Sequence, residues 1–281
     1  MSRSGDAEPP FSLRAPEAPP STPVVLSVPH AGLRTDGDGF GDVLAPALDV
    51  RCDADLHVDR LYRVDGAGAP ETFLAARLSR FVCDLNRDPD DVSREAVPEH
   101  HAPRNTDGRG FIWAVTTAGV PALARPLSLA EWRARAAYHA AYHGAITKAL
   151  QRAKDRFGFA VLVDGHSMPS RGRAGHKDPG RARADVVPGD RDGTSCAPSL
   201  SRLVGEHFAS RGYSVAFNDP YKGGFITTHH GKPAQDIHAI QIELRRDLYM
   251  NETTYDLVEP GFTKLSEALA DLLASLRSYR P

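Results

Sequence analysis

Four apolar runs in this chain finish on groups that do chemistry. "VVLSVP" runs into His30, "FVCDL" into Asn86-Arg87, "VLVDG" into His166, and "AIQIEL" carries Glu243 near its end. A divalent metal would give these groups a shared purpose. Zinc takes His nitrogen and carboxylate oxygen, and a catalytic zinc keeps three protein ligands and one open position for water. His30 and His166 offer the nitrogens. Asp55 in "DADLHVD" is the best placed carboxylate, because it directly precedes a helical pattern downstream of the first strand. Asp53, His57 and Asp59 are rivals, and Asp53 or Asp55 reads equally well as a helix N-cap.

A metal ion lowers the pKa of a bound water toward about 7, and the proton released needs an acceptor that can return it to a leaving amine. Glu243, on a strand near its tip, suits that role; the competing reading is an ion pair with Arg245 or Arg246. Arg87 is a planar fork that can take a carboxylate through two hydrogen bonds, and Asn86 beside it can hold a carbonyl. Arg245, Arg183 and Lys222 are further cations near the same mouth, although each also reads as a solvated charge. Cationic walls would imply a small anionic substrate such as an amino-acid derivative.

Other patterns weigh less. "YHAAYH" places His139 and His143 one helical turn apart, but without the Glu of an HExxH motif, so packing beside the site is the expected use. "GTSC" sets Ser195 and Cys196 ahead of a helix without a nucleophile-elbow pattern, which favours a helix cap. The His pairs at 100–101 and 229–230 lie in expected loops.

The elements that must position these groups alternate in type. Strands are expected over 23–32, 80–85, "FAVLVDGHS", "SVAFND" and "IHAIQIELRRDLYM". A capping box, Ser128 with Glu131, opens a helix that ends near Gly158. "SLSRLVGEHFASRGY" and a C-terminal stretch with Leu265, Leu269, Leu272, Leu273 and Leu276 supply two more helices. Residues 88–111, 167–197 and "YKGGFITTHHGKP" are expected as loops. Alternation of this kind predicts an α/β fold, a mostly parallel or mixed central sheet with helices on both faces. The Pro- and Ser-rich start predicts a flexible N-terminal arm over 1–22, followed by a single domain over 23–281.

Composition narrows the partners. The chain has 281 residues, 41% hydrophobic and 25% charged, with 34 basic and 36 acidic side chains giving a net charge of −2. Such balance supplies no field for nucleic acid or an anionic membrane, and no apolar run reaches the roughly 20 residues that span a bilayer. Three cysteines without CxxC spacing fit a reducing cytoplasm. The oligomeric state is not encoded in any of these features.

In order, "SVPHAG", "DADLHVDRLY", "DLNRDP", "DGHSMPS", "GDRDGTSC", "NDPYKGGFITTHHGKP" and "HAIQIELRRDLYMNE" resemble the N-formylglutamate amidohydrolase (deformylase) family, over residues 23 to 252. The resemblance implies a zinc hydrolase with a phosphorylase/hydrolase-like α/β fold, related to zinc carboxypeptidases. It also implies cleavage of an N-formyl or N-acyl amino acid such as N-formyl-L-glutamate, as in histidine degradation. Carried onto this chain, it makes His30 and His166 zinc ligands, Glu243 the catalytic carboxylate, and Asn86 with Arg87 the grip on a substrate carboxylate. Carboxypeptidases place a Glu three residues after the first His, where this chain has Leu33, so the acidic ligand is expected from Asp55. Thr228 stands where "GGYITRHYG" would put an Arg, which bears on the substrate. A carboxypeptidase-like peptidase and a non-catalytic binding protein on the same fold are the alternatives.

Overall fold

A computed structural model describes residues 9–35, 40–63 and 71–281. Its frame is a six-stranded sheet of order β1-β3-β2-β4-β6-β5. The strands are β1 (Phe11–Arg14), β2 (Val24–Val28), β3 (Thr72–Ala76), β4 (Ala160–Met168), β5 (Val186–Gly189) and β6 (Ile237–Arg245). The four central strands run parallel, and β1 and β5 pair antiparallel at the two edges. The expected α/β architecture with a mixed sheet is therefore the one observed.

Helices cover both faces. One face packs α2 (Leu129–Phe157), whose Tyr138, Tyr142, Ile146 and Leu150 are buried against Val25, Leu74 and Leu162. The other packs α3 (Pro198–Ala209) and α5 (Glu259–Ser278) against Leu26, Val163 and Ile242. All five expected leucines of α5 are at most 2% exposed, and each contributes about 1.5–3 kcal/mol by leaving water. α2 starts at the predicted capping box, where Ser128 accepts from the Glu131 N–H, and ends at Gly158 with φ 82°.

Several sequence expectations need correction. The strand expected over 80–85 is a series of turns, and the neighbouring strand is β3, which ends four residues upstream at Ala76. The loop over 167–197 contains β5, which pairs with β6. "SVAFND" makes only an isolated bridge from Val215 to Val186. "YKGGFITTHHGKP" contains a short helix, α4 (Phe225–His230). Asp53 and Asp55 do not cap the helix that follows: α1 (Val58–Leu61) has His57 at its N-cap, at φ 64°, with no side-chain cap. Ser195 caps nothing either; its hydroxyl donates to the Ala239 carbonyl at 2.8 Å, and Ala197 precedes α3. Within the expected arm, residues 1–8 lie outside the described residues, while Phe11–Arg14 form an edge strand. Arg152 of α2 donates to the carbonyls of Pro16 and Ala18 behind it, at 2.8 and 2.7 Å.

Gly165 sits within β4 for a steric reason. A Cβ at this position would lie 2.5 Å from the Tyr62 ring, and Tyr62 is fully buried. The glycine thus admits an aromatic ring against the strand, and His166 lies inside β4 instead of beyond a hinge. Gly165→Ala is expected to destabilise the fold by about 1–3 kcal/mol in urea unfolding, the usual cost of overpacking. Tyr62→Leu in the same chain should cancel part of that loss, and strictly additive losses would contradict the contact.

Candidate functional site

Along β4 and β6 the face that packs against α2 changes character. Ala160, Leu162 and Ala239 are part of the apolar core. With a period of two, Asp164, His166, Gln241 and Glu243 occupy the same face farther along, and the register pairs His166 directly with Glu243 and Asp164 with Gln241. All four side chains are buried, at 7% exposure or less. Beyond the end of β2, Pro29 leads to His30, whose carbonyl accepts the Asp55 N–H at 2.9 Å. That bond brings Asp55 under both histidines.

His30, Asp55 and His166 each offer one ligand atom, and these atoms lie within 4.8 Å of one another. His166 Nδ1 is 3.0 Å and His30 Nδ1 3.5 Å from the same Asp55 oxygen, Oδ2. Each ring turns its other nitrogen to a second carboxylate: His30 Nε2 to Asp84 at 2.7 Å, His166 Nε2 to Asp164 at 3.0 Å. A carboxylate behind each imidazole fixes the tautomer and aims the remaining nitrogen, the arrangement that supports metal-ligating histidines. The second oxygen of Asp55 is held by Arg246 Nη2 at 3.2 Å, which leaves Oδ2 to the histidines.

Electrostatics agree with a cation at this point. Burial raises the Asp55 carboxyl, but hydrogen bonds from His166 and His30 overcome it and hold the group well below the usual carboxylate range. Burial also opposes charge on His166, yet the Asp164 carboxylate beside it drives its pKa well above the ordinary value. In the metal-free cluster the positive charge is thus the His166 proton, which a metal would displace, and the donor set of two imidazole nitrogens and a carboxylate oxygen fits a divalent metal. Glu243 differs: burial pushes its carboxyl up to about 7, with Asp55 adding to the rise and His166 opposing it. Its Oε1 accepts from Gln241 Nε2 at 2.9 Å.

These groups lie in a cavity of about 1030 Å³ that also exposes Arg87, Arg191, Lys222 and Thr228. Of the rivals for the acidic ligand, none joins the cluster. Asp53 accepts from the Thr117 N–H at 2.9 Å and pairs with Arg173 at 3.1 Å. His57 bonds the Tyr255 carbonyl at 3.0 Å, and Asp59 belongs to α1. Asn86 is buried beside His166, with Oδ1 accepting the Ile226 N–H at 2.8 Å and Nδ2 donating to Gln241 at 3.3 Å. Arg87 forms part of the cavity wall. Arg245 does not, and this corrects its assignment to substrate. It pairs with Asp185 and Asp247, at 2.8 and 2.6 Å, while the next residue, Arg246, turns into the cavity. Arg183 is buried in a pair with Asp178 at 2.7 Å, and Lys222 pairs with Asp192 at 2.7 Å. Thr228 bonds within its own helix, its hydroxyl donating to the Gly224 carbonyl at 2.8 Å.

Sequence reasoning missed Asp84, Asp164, Gln241 and Arg246. Two of them carried a signal: Asp164 and Gln241 stand two residues before His166 and Glu243, hence on the same strand face. His139, His143 and His230 are buried beside the site, at 4%, 6% and 5% exposure. Burial lowers their pKa values to about 4, 2 and 3 respectively.

The chain matches the family model of N-formylglutamate amidohydrolase over residues 22–250. It is 38% identical over 271 residues to an N-formylglutamate deformylase of Pseudomonas putida, covering 90% of this chain and 92% of that protein. With an N-formylglutamate deformylase of Pseudomonas aeruginosa it shares 35% identity over 269 residues, 90% of this chain and 93% of the relative. Among solved structures, an N-formylglutamate amidohydrolase from Ralstonia eutropha aligns at a TM-score of 0.84 and 37% identity, covering 97% of this chain and 98% of that one. Among the described residues no helix is long and apolar enough to cross a membrane.

Two outcomes follow from this geometry. If the cluster holds a divalent metal, Asp84→Asn and Asp164→Asn should each weaken its binding about 10–100-fold, the usual effect of losing the group behind a ligating histidine. Competition with a chelator measures this, and unchanged affinity would contradict the orienting role. The buried histidines also set a pH dependence. Their folded pKa values lie below the ordinary 6.5, so below that pH the unfolded chain binds protons that the folded chain refuses. Their contribution is intact above about pH 6.5 and falls as pH drops toward 4. His143→Gln is expected to remove about one proton from the pH dependence of urea unfolding over that range; an unchanged slope would show that the ring is not held neutral.

Proposed function

Because the chain belongs to the N-formylglutamate amidohydrolase family, we propose that it hydrolyses the amide of an N-formyl amino acid, with N-formyl-L-glutamate the leading substrate, to formate and the free amino acid. The observation that carries this reading is the buried His30–Asp55–His166 cluster that shares a cavity of about 1030 Å³ with Glu243. The 35% and 38% identities to N-formylglutamate deformylases support the choice of substrate. We assign zinc to the cluster, with His30 Nδ1, Asp55 Oδ2 and His166 Nδ1 as the atoms that would hold it. Bound there, the metal would act as a Lewis acid toward the amide carbonyl and lower the pKa of water at its open position.

The chain's own groups do the rest. Glu243 takes a proton from the attacking water as the new carbon–oxygen bond forms. It then delivers that proton to the amide nitrogen as the carbon–nitrogen bond breaks. A carboxyl near pH 7 is matched to both halves of this transfer. Gln241 holds one Glu243 oxygen, so the carboxyl keeps a fixed orientation during the exchange. Arg87 donates through Nε and Nη1 to the backbone carbonyls of Arg109 and Asn86 at 3.3 and 3.2 Å, which leaves its remaining Nη1 and Nη2 hydrogens as the fork for a substrate carboxylate in the cavity wall. Asn86 holds Gln241 and the start of α4 through its amide, and it gives the wall its shape.

Formate release from N-formyl-L-glutamate is expected from zinc-loaded protein and should disappear after chelation and return with zinc. Glu243→Gln should lower kcat by at least about 100-fold while retaining zinc, as loss of a general acid–base does. Undiminished turnover by chelated protein, or by this variant, would overturn the assignment.

A further inference from the structure

The turn that carries Asn86 and Arg87 belongs to no strand, so its buried carbonyls need partners from elsewhere. Three consecutive carbonyls find them. His143 Nε2 lies 2.9 Å from the Leu85 carbonyl, and His139 Nε2 lies 3.0 Å from the Arg87 carbonyl. Between them, the Asn86 carbonyl accepts the Phe225 N–H at 3.1 Å. His139 and His143 are four residues apart on α2, on one face, at a spacing of about 5–6 Å that suits carbonyls two residues apart.

Proton positions follow from the partners. A carbonyl only accepts, so both Nε2 atoms carry hydrogen, and in a neutral ring Nδ1 is left as an acceptor. His143 Nδ1 accordingly accepts from His230 Nε2, 2.9 Å away on α4. The rings of His139 and His143 lie 4.1 Å apart, and Phe225 closes over His139 at 5.1 Å. Fixed groups thus run from α2 to the Asn86–Arg87 turn and on to α4, and both the turn and the start of α4 form cavity wall.

We propose that His139 and His143 are positioning residues for anion recognition, fixing the carbonyls on either side of Asn86 so that the Arg87 fork meets a substrate carboxylate in one orientation. The inference rests on the reading of this cavity as the site for an N-formyl amino acid. A fork bonds a carboxylate through two parallel hydrogen bonds only when both planes align. Releasing the Arg87 carbonyl frees the turn to rotate and misaligns the fork, with no change to the metal ligands.

A double-mutant cycle tests this. Zinc-loaded full-length protein is titrated calorimetrically with glutarate, a non-hydrolysable dicarboxylate, for the wild type, His139→Phe, His139→Gln, Arg87→Gln and the His139→Phe/Arg87→Gln pair. His139→Phe is expected to weaken binding about tenfold, the scale of one lost hydrogen bond of the fork. His139→Gln, whose amide can still donate, should recover most of it. In the Arg87→Gln background the Phe substitution should add less than about twofold, because its effect passes through Arg87. Losses that multiply, no loss with Phe, or a wild type that does not bind glutarate would overturn the proposal. If the Phe variant does not fold, His139→Asn, too short to reach the carbonyl, replaces it in the same cycle. Formate release by the wild type, measured in parallel, tests the functional reading separately. Release with an additive cycle keeps the activity and discards the positioning role, and a coupled cycle without release does the reverse.

Discussion

Burying Asp84 and Asp164 is the constraint on which the rest of the structure depends. An ionised carboxylate removed from water must be paired and hydrogen-bonded or it becomes neutral. Both residues are fully buried. Asp84 meets this demand with His30, the Arg80 guanidinium at 2.6 Å, the Trp113 indole N–H at 3.1 Å and the Asn86 N–H at 2.8 Å. Asp164 pairs through Oδ2 with His166 at 3.0 Å and lies in register with Gln241 on the adjacent strand, while its Oδ1 has no hydrogen-bond partner among the described residues. The imidazoles are thereby committed through Nε2, and Nδ1 of each has only one direction left, toward Asp55. The two orienting carboxylates come from a turn and a central strand, so the sheet order and the turn after β3 must both be correct before the cluster exists.

Two further carboxylates, Asp55 and Glu243, share the cavity yet behave differently. Asp55 receives hydrogen bonds from both histidines and from Arg246, so its charged form is favoured despite burial. Glu243 receives one from Gln241 and stands in the repulsive field of Asp55, so burial keeps a proton on it up to about pH 7. Environments that push titratable groups apart in this way separate a ligand role from a proton-transfer role.

The strand face that forms the site was legible from period and residue type. β4 and β6 each pass from apolar to polar residues on one face, and His166 and Glu243 were readable from that change. His30 was readable from its place just past an apolar run. Asp55 could not be separated from Asp53 and Asp59 by spacing, because the choice depends on the His30 carbonyl holding the Asp55 N–H, a contact made by the chain's return. Arg245 and Arg246 were likewise ambiguous: adjacent arginines at a strand end point in different directions, and only the presence of Asp185 and Asp247 decides which one is held outside. The turn after β3 was misread as a strand since "FVCDL" has strand composition, whereas its residues are held by core contacts and by side chains from α2. β5 was missed because four residues with a proline at their third position give almost no periodic signal.

The most direct test of the central claim is a crystal structure of zinc-loaded protein with anomalous diffraction collected on either side of the zinc edge. One strong zinc peak is expected in the cavity, about 2.0–2.2 Å from His30 Nδ1, Asp55 Oδ2 and His166 Nδ1, with Asp84 and Asp164 still behind the imidazoles. A peak elsewhere, or a cluster that stays closed on itself while zinc-dependent activity persists, would contradict that claim.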